Sequence, residues 1–176
     1  MKYVLTILMT IMFVFTGCEK KTTDSNDDGN DIQSYSTLNV KDSTDYFIFA
    51  TNSGSTDANS DYDIMFYSVS WQPPGAPVTI SDPRFSVKDG LSIAVIEETE
   101  LEDITEVPES ANFIANFVSE FGEWYDETDA HVILPQEKVY VVNTTDGKFP
   151  AFQITSYYDD MGISGVFNID WKYLSE

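Results

Sequence analysis

Apolar positions along this chain recur mostly at the short spacing of β-strands. Residues 45–50 (DYFIFA) are aromatic and β-branched. Residues 62–71 (YDIMFYSVSW) alternate only in part, as a strand buried on both faces does, and residues 78–80 and 91–96 add further short runs. Gln72-Pro73-Pro74-Gly75 breaks the series as a loop. Residues 138–145 (KVYVVNTT) and 148–155 (KFPAFQIT) flank Asp146-Gly147, a hairpin signal that requires Gly147 at positive φ. Pro150 removes a ladder donor, which predicts an edge or a bulge there. With residues 162–171 as a last strand, the C-terminus reads as a three-stranded meander. One stretch departs from this spacing. Over residues 110–121, Phe113, Ile114, Phe117, Val118 and Phe121 form one helical stripe, which predicts a short helix packed on the sheet, although Phe113, Phe117 and Phe121 also share one face of a strand. The expected class is all-β with at most one short helix, and the absence of repeats excludes a solenoid or propeller.

The N-terminus has another texture. Lys2 precedes an apolar run, residues 3–15, broken only by Thr6 and Thr10. The run is shorter than the ~20 apolar residues that cross a bilayer and has the form of a secretory h-region. It ends in Phe15-Thr16-Gly17-Cys18, with small residues before the only cysteine of the chain. This resembles a bacterial lipobox, in which the cysteine is diacylated and becomes the first mature residue; Phe15 stands where the pattern has Leu. Exported domains carry cysteines in pairs or none, because a free thiol is a liability in an oxidising compartment. Lipidation accounts for a lone Cys18 at the cleavage site. Residues 1–17 therefore read as a signal peptide and residues 18–37 as a lipidated cysteine with a flexible acidic tether, leaving residues 38–176 as one β domain. Acidic residues just after a lipid cysteine resemble the export signals of surface lipoproteins, which places the domain outside an outer membrane.

Charge narrows the partners. Loss of Lys2 with the signal peptide takes the formal charge from −21 to about −22. Nucleic acid needs a basic stripe and is excluded as a partner. Anionic lipid gives no electrostatic docking either, so the bilayer is held through the acyl chains of Cys18. Fourteen per cent aromatics supply the bulk of a core. Clustered carboxylates raise calcium as a second possibility. Asp24, Asn26 and Asp28 before Gly29 have the first-half spacing of a calcium loop, but Tyr35 stands where a bidentate Glu is needed and Asp31 where an apolar residue packs. Asp57, Asn59, Asp61 and Asp63 read as a turn. There is one histidine, His131, and no nucleophile elbow, zinc motif or phosphate loop. No catalytic constellation stands out, and the chain reads as non-enzymatic.

An ordered series remains: Gly122-Glu123-Trp124-Tyr125, His131 to Pro135, Lys138 to Lys148 around the hairpin, and Phe152 to Tyr158. Upstream, Tyr62-Asp63-Ile64-Met65-Phe66 and Tyr46-Phe47-Ile48-Phe49 precede it. Their order and spacing over about residues 40–174, behind a lipobox, resemble the HmuY family of surface lipoproteins. The resemblance implies an antiparallel sandwich-like fold held outside the cell. It also implies a hemophore-like role, haem gripped between two axial histidines and passed to an outer-membrane receptor; the chain itself is read as a monomer. The ligands carry over poorly. Counted from Trp124, one family histidine falls on Asp129, with His131 two positions beyond, and residues 91–123 hold neither His nor Met for the other. Met161, after Tyr157-Tyr158, is the remaining soft donor considered. The candidate haem ligands are therefore His131, Asp129 and Met161. The reading is a surface binding protein with haem as first candidate, against a structural or adhesive domain supported by calcium.

Overall fold

A computed structural model describes residues 31–75 and 77–175. Cys18, the signal run and the Asp24, Asn26, Asp28 set lie outside the described residues. Within them the chain forms twelve strands, numbered in chain order, three single 3-10 turns and no α-helix. One antiparallel sheet runs β1 (Gln33–Ser36), β12 (Ser164–Leu174), β11 (Phe149–Tyr158), β10 (Lys138–Asn143), β6 (Ser92–Glu97), β7 (Ile114–Ala115). A second runs β3 (Ser53–Ser55), β2 (Asp45–Ile48), β4 (Ile64–Trp71), β5 (Ile80–Val87). A small ribbon pairs β8 (Tyr125–Glu127) with β9 (Ile133–Pro135). The expected meander is β10, β11 and β12.

The main core lies between the two larger sheets. Phe47, Phe49, Ile64, Phe66 and Phe85 of the smaller sheet and its 3-10 turn meet Tyr140, Phe152, Phe167, Ile169 and Trp171 of the larger one. Ring contacts such as Phe85–Phe152 (5.6 Å) and Phe66–Phe167 (4.9 Å) cross the gap. β10 explains its own unbroken apolar run. Tyr140 and Val142 face this core, while Val139 and Val141 face a second cluster on the outer side of the sheet. There Leu101, Ile104, Val107 and Phe113 cover the strand, and the Leu101 N–H donates to Gln153 Oε1 (3.1 Å).

Four expectations are corrected. Residues 110–121 are not helical: Ser110–Asn112 is one 3-10 turn, β7 pairs with Ser92 and Ile93, and Val118 bridges Ser86. The Val87 N–H donates to the Phe117 carbonyl (3.1 Å) and the Ser119 N–H to the Phe85 carbonyl (2.9 Å). Lying extended, the stretch satisfies backbone groups at the edges of both sheets, which a helix would leave unpaired. The tether is shorter than residue 37, because Gln33–Ser36 pairs with β12 and Thr37 is buried. Pro150 sits in a central strand, opposite Tyr173 of β12, and the β10 ladder stops one step before it at Val141–Ala151. β4 is buried at Ile64 and Phe66 but exposed from Val69 onward.

A cross-sheet clasp fixes β1. The Tyr35 hydroxyl donates to both oxygens of Asp45 (3.0 and 2.9 Å), and the Leu38 N–H adds a third bond (2.9 Å). Asp45 is 1% exposed. Gly54 leaves room for it, since a Cβ there would overlap the Tyr35 hydroxyl and the Asp45 carboxylate. The registers also orient the molecule. Gln33 lies opposite Trp171 and Phe149 opposite Leu174, so the chain enters at the pole that carries the β10–β11 hairpin. The other pole carries the β8–β9 and β11–β12 turns and the end of the β4–β5 hairpin.

Candidate functional site

The three tight hairpins share one architecture. In each, the first residue's N–H donates to the carbonyl four residues on: Thr128 to Val132 (3.0 Å), Thr144 to Lys148 (3.1 Å), Asp159 to Ile163 (3.0 Å). The fourth residue's N–H closes a turn onto the first: His131 (2.8 Å), Gly147 (3.1 Å), Gly162 (2.9 Å). The first side chain then accepts the fifth N–H, through Thr128 Oγ1, Thr144 Oγ1 and Asp159 Oδ1. This is the three-residue loop with a left-handed fourth position. Gly147 (φ 76°) and Gly162 (φ 78°) fill that position in two of them. In the β8–β9 hairpin it is His131, at φ 58°. The expected positive φ of Gly147 holds, in a longer loop than the two-residue turn Asp146-Gly147 suggested.

The candidate donors therefore sit on loop tips. His131 projects into solvent with its side chain 87% exposed; its Nδ1 lies 2.6 Å from Glu127 Oε1, and Nε2 has no partner among the described residues. Asp129 opens the same loop, exposed. Met161, at the β11–β12 tip, is 80% exposed. A bond from the Ile133 N–H to the Tyr158 hydroxyl (2.8 Å) ties the two hairpins together, so all three residues leave the fold from one corner. Behind them the ribbon is anchored by the Trp124 indole donating to the Pro83 carbonyl (3.0 Å). The Tyr125 hydroxyl reaches Asp82 Oδ1 (3.1 Å), and Asp82 Oδ2 holds Arg84 Nε (2.6 Å).

Two clefts lie on the surface nearby in sequence, neither of them lined by His131, Asp129 or Met161. One, of about 470 Å³, separates the end of β6 from the β8–β9 ribbon. It is lined by Glu97, Glu98, Asp126, Gln136, Glu137 and Lys138. Lys138 Nζ is engaged with Glu97 (3.3 Å) and the Glu123 carbonyl (2.7 Å). The other, of about 650 Å³, is the more apolar, with Ile114, Phe117, Val118 and Phe121 beside Asn116, Glu120 and Glu123, and holds no His or Met. A haem site needs an axial donor facing an apolar pocket. Here the donors and the apolar cleft do not coincide, and the acidic cleft would set carboxylates against a macrocycle. Burial, and then the charge of Asp82, pushes the Tyr125 and Tyr157 hydroxyls up, and burial followed by Glu123 and Glu97 does the same for Tyr140, so none offers a phenolate. Among the described residues no three His, Cys, Asp or Glu side chains converge on a metal position. Asp57 instead caps its own turn, accepting the Asn59 N–H (2.9 Å).

The two packed sheets define an antiparallel β-sandwich with its hairpin tips exposed. The chain belongs to the HmuY protein family, which residues 41–173 match, a family of binding lipoproteins and not of enzymes. No curated protein is similar to it in sequence. Among solved structures it shares its fold with apo PinO from Porphyromonas gingivitis, at 14% identity and TM-score 0.57, over 82% of this chain and 98% of that one. The apo HmuY analog TFO from Tannerella forsythia matches at 13% identity and TM-score 0.53, over 85% of this chain and all (100%) of the other. Among the described residues no helix is long and apolar enough to cross a membrane.

Proposed function

We propose that the protein is displayed on the outer membrane by lipidated Cys18 and captures a ligand with the pole of the sandwich that faces away from its tether. Haem is the first candidate, held through one axial donor at most, His131. The observation that carries this reading is the placement of His131: it occupies the left-handed position that two matching hairpins give to glycine, at the same corner as Met161 and with no partner for Nε2 among the described residues. The chain has a single histidine, so one protomer supplies no bis-histidine site. Passing the ligand to an outer-membrane receptor is the role the family suggests.

The test is a haem titration of the chain from Asp31 onward, followed by its Soret band. The expected result is a saturable shift that is lost in His131→Gly. His131→Gly relieves the left-handed backbone, so loss of the shift cannot be assigned to unfolding. A shift retained in both His131→Gly and Met161→Leu would place haem on aromatic packing alone and overturn the axial role. No saturable shift in the wild type would overturn haem altogether and leave the structural or adhesive reading.

A further inference from the structure

The β4–β5 hairpin outruns its sheet. β5 pairs with β4 from Ile64 through to Trp71, but β2 pairs only with Ile64, Met65 and Phe66. From Tyr67 to Trp71 the other edge of β4 has no strand beside it among the described residues. Natural edges are guarded by charge, proline, bulges or cover. This one is Tyr67-Ser68-Val69-Ser70-Trp71, with no charge, proline or bulge in it and an unbroken register against β5. Val69 and Trp71 are 37% and 46% exposed on it. No charged residue occurs between Asp63 and Asp82, in a chain where 22% of residues are charged and the net charge is −21. Two such acidic chains repel over most of their surfaces, and this edge is where they meet without opposing carboxylates.

We propose that the β4 edge pairs with the β4 edge of a second copy, antiparallel about Val69, joining the two four-stranded sheets. The segment is complementary to itself in that register. Val69 faces Val69 and each Tyr67 faces Trp71, the aromatic and β-branched cross-strand pairs that stabilise sheets. The contact is isologous and closes at two copies. Antiparallel pairing sends the two tether poles to opposite ends of the dimer, so both tethers reach one bilayer when the dimer lies along it.

Sedimentation velocity of the chain from Asp31 onward, from about 1 µM to about 1 mM, the span of weak association, tests this. The expected result is a monomer–dimer equilibrium that tightens with salt, since screening removes the repulsion between two acidic copies. Val69→Lys opposes two lysines across the axis and should weaken the dimer at least about tenfold, with Trp71→Lys doing likewise. Both side chains are exposed, and circular dichroism checks their fold. Hydrogen exchange on the unmutated chain gives an independent reading: slower exchange within residues 67–71 at high concentration. A monomer throughout the range, a dimer indifferent to both substitutions, or exchange there that ignores concentration would overturn the proposal, as would a heterologous strand captured without any self-association.

Discussion

Replacing Tyr35 by Phe isolates the clasp between the sheets. The ring stays stacked on Phe47 (4.3 Å between centroids) and only the hydroxyl is lost. That hydroxyl makes one bond shared between the two Asp45 oxygens, at 2.9 and 3.0 Å. A hydrogen bond to a charged group contributes about 1.5–3 kcal/mol. Tyr35 is only half-buried, so water replaces part of the bond, and the lower part of that range, about 1.5–2 kcal/mol, is expected at neutral pH. For a domain of this size that is a fall of roughly 3–8 °C in Tm. The pH dependence gives a sharper check. Burial raises the pKa of Asp45, against the lowering effect of its bonds from Leu38 and Tyr35. The folded state therefore holds its proton more tightly than the unfolded state, and Asp45 costs stability as pH rises through its raised pKa. Removing the hydroxyl raises that pKa again and enlarges the cost above it. Below both values Asp45 is neutral in either protein, and only a neutral bond of about 0.5–1.5 kcal/mol is lost. The gap between variant and wild type should thus narrow as pH falls into the carboxylate range. Thermal or urea unfolding across pH measures it. Equal midpoints at neutral pH, or a gap that widens toward acid, would refute the clasp.

Gly147→Val should destabilise by about 1–2 kcal/mol, the left-handed backbone penalty, because a Cβ there meets nothing else; an unchanged unfolding midpoint would contradict the turn. The converse substitution, His131→Gly, should leave the midpoint level or raise it by up to about 1 kcal/mol, since relief of the same penalty is offset by glycine's chain entropy. Cys18→Ser should release the protein from the membrane fraction or block signal cleavage, and mass spectrometry finding an unmodified Cys18 in the wild type would exclude lipidation.

Much of the fold was legible because its signals are local. The Asp146-Gly147 hairpin, the double-sided apolar run of β10 and the aromatic β2 each follow from a few adjacent residues. What failed was set by partners far along the chain. β1 is Gln-Ser-Tyr-Ser, with nothing in it to mark a strand; it exists because β12 offers an edge and Asp45 holds Tyr35. β5 runs on through Asp82-Pro83-Arg84, beyond the expected run at residues 78–80, where the Trp124 indole takes the Pro83 carbonyl and Tyr125 takes Asp82. The three phenylalanines from 113 to 121 fit a helix or a strand equally well, and the open edges at Ser92 and Phe85 decided for the strand.

The site was less legible than the fold, yet one signal lay in the chain. Thr144-Thr145-Asp146-Gly147-Lys148 and Asp159-Asp160-Met161-Gly162-Ile163 share a side-chain acceptor first and glycine fourth; Thr128-Asp129-Ala130-His131-Val132 keeps the acceptor and changes the glycine. Set side by side, the three segments single out His131 before any coordinates are known. The physical weight of that difference is about 1–2 kcal/mol per left-handed residue, somewhat less for histidine, which tolerates the region better than most. Nothing in the packing compensates: the imidazole is exposed and its one contact is a surface carboxylate, worth about 0–1 kcal/mol. A side chain in a left-handed position that rests on no core is the feature on which the binding role proposed for His131 stands. That argument depends on the hairpin and not on haem, so it survives the mismatch between His131 and the expected family ligand at Asp129.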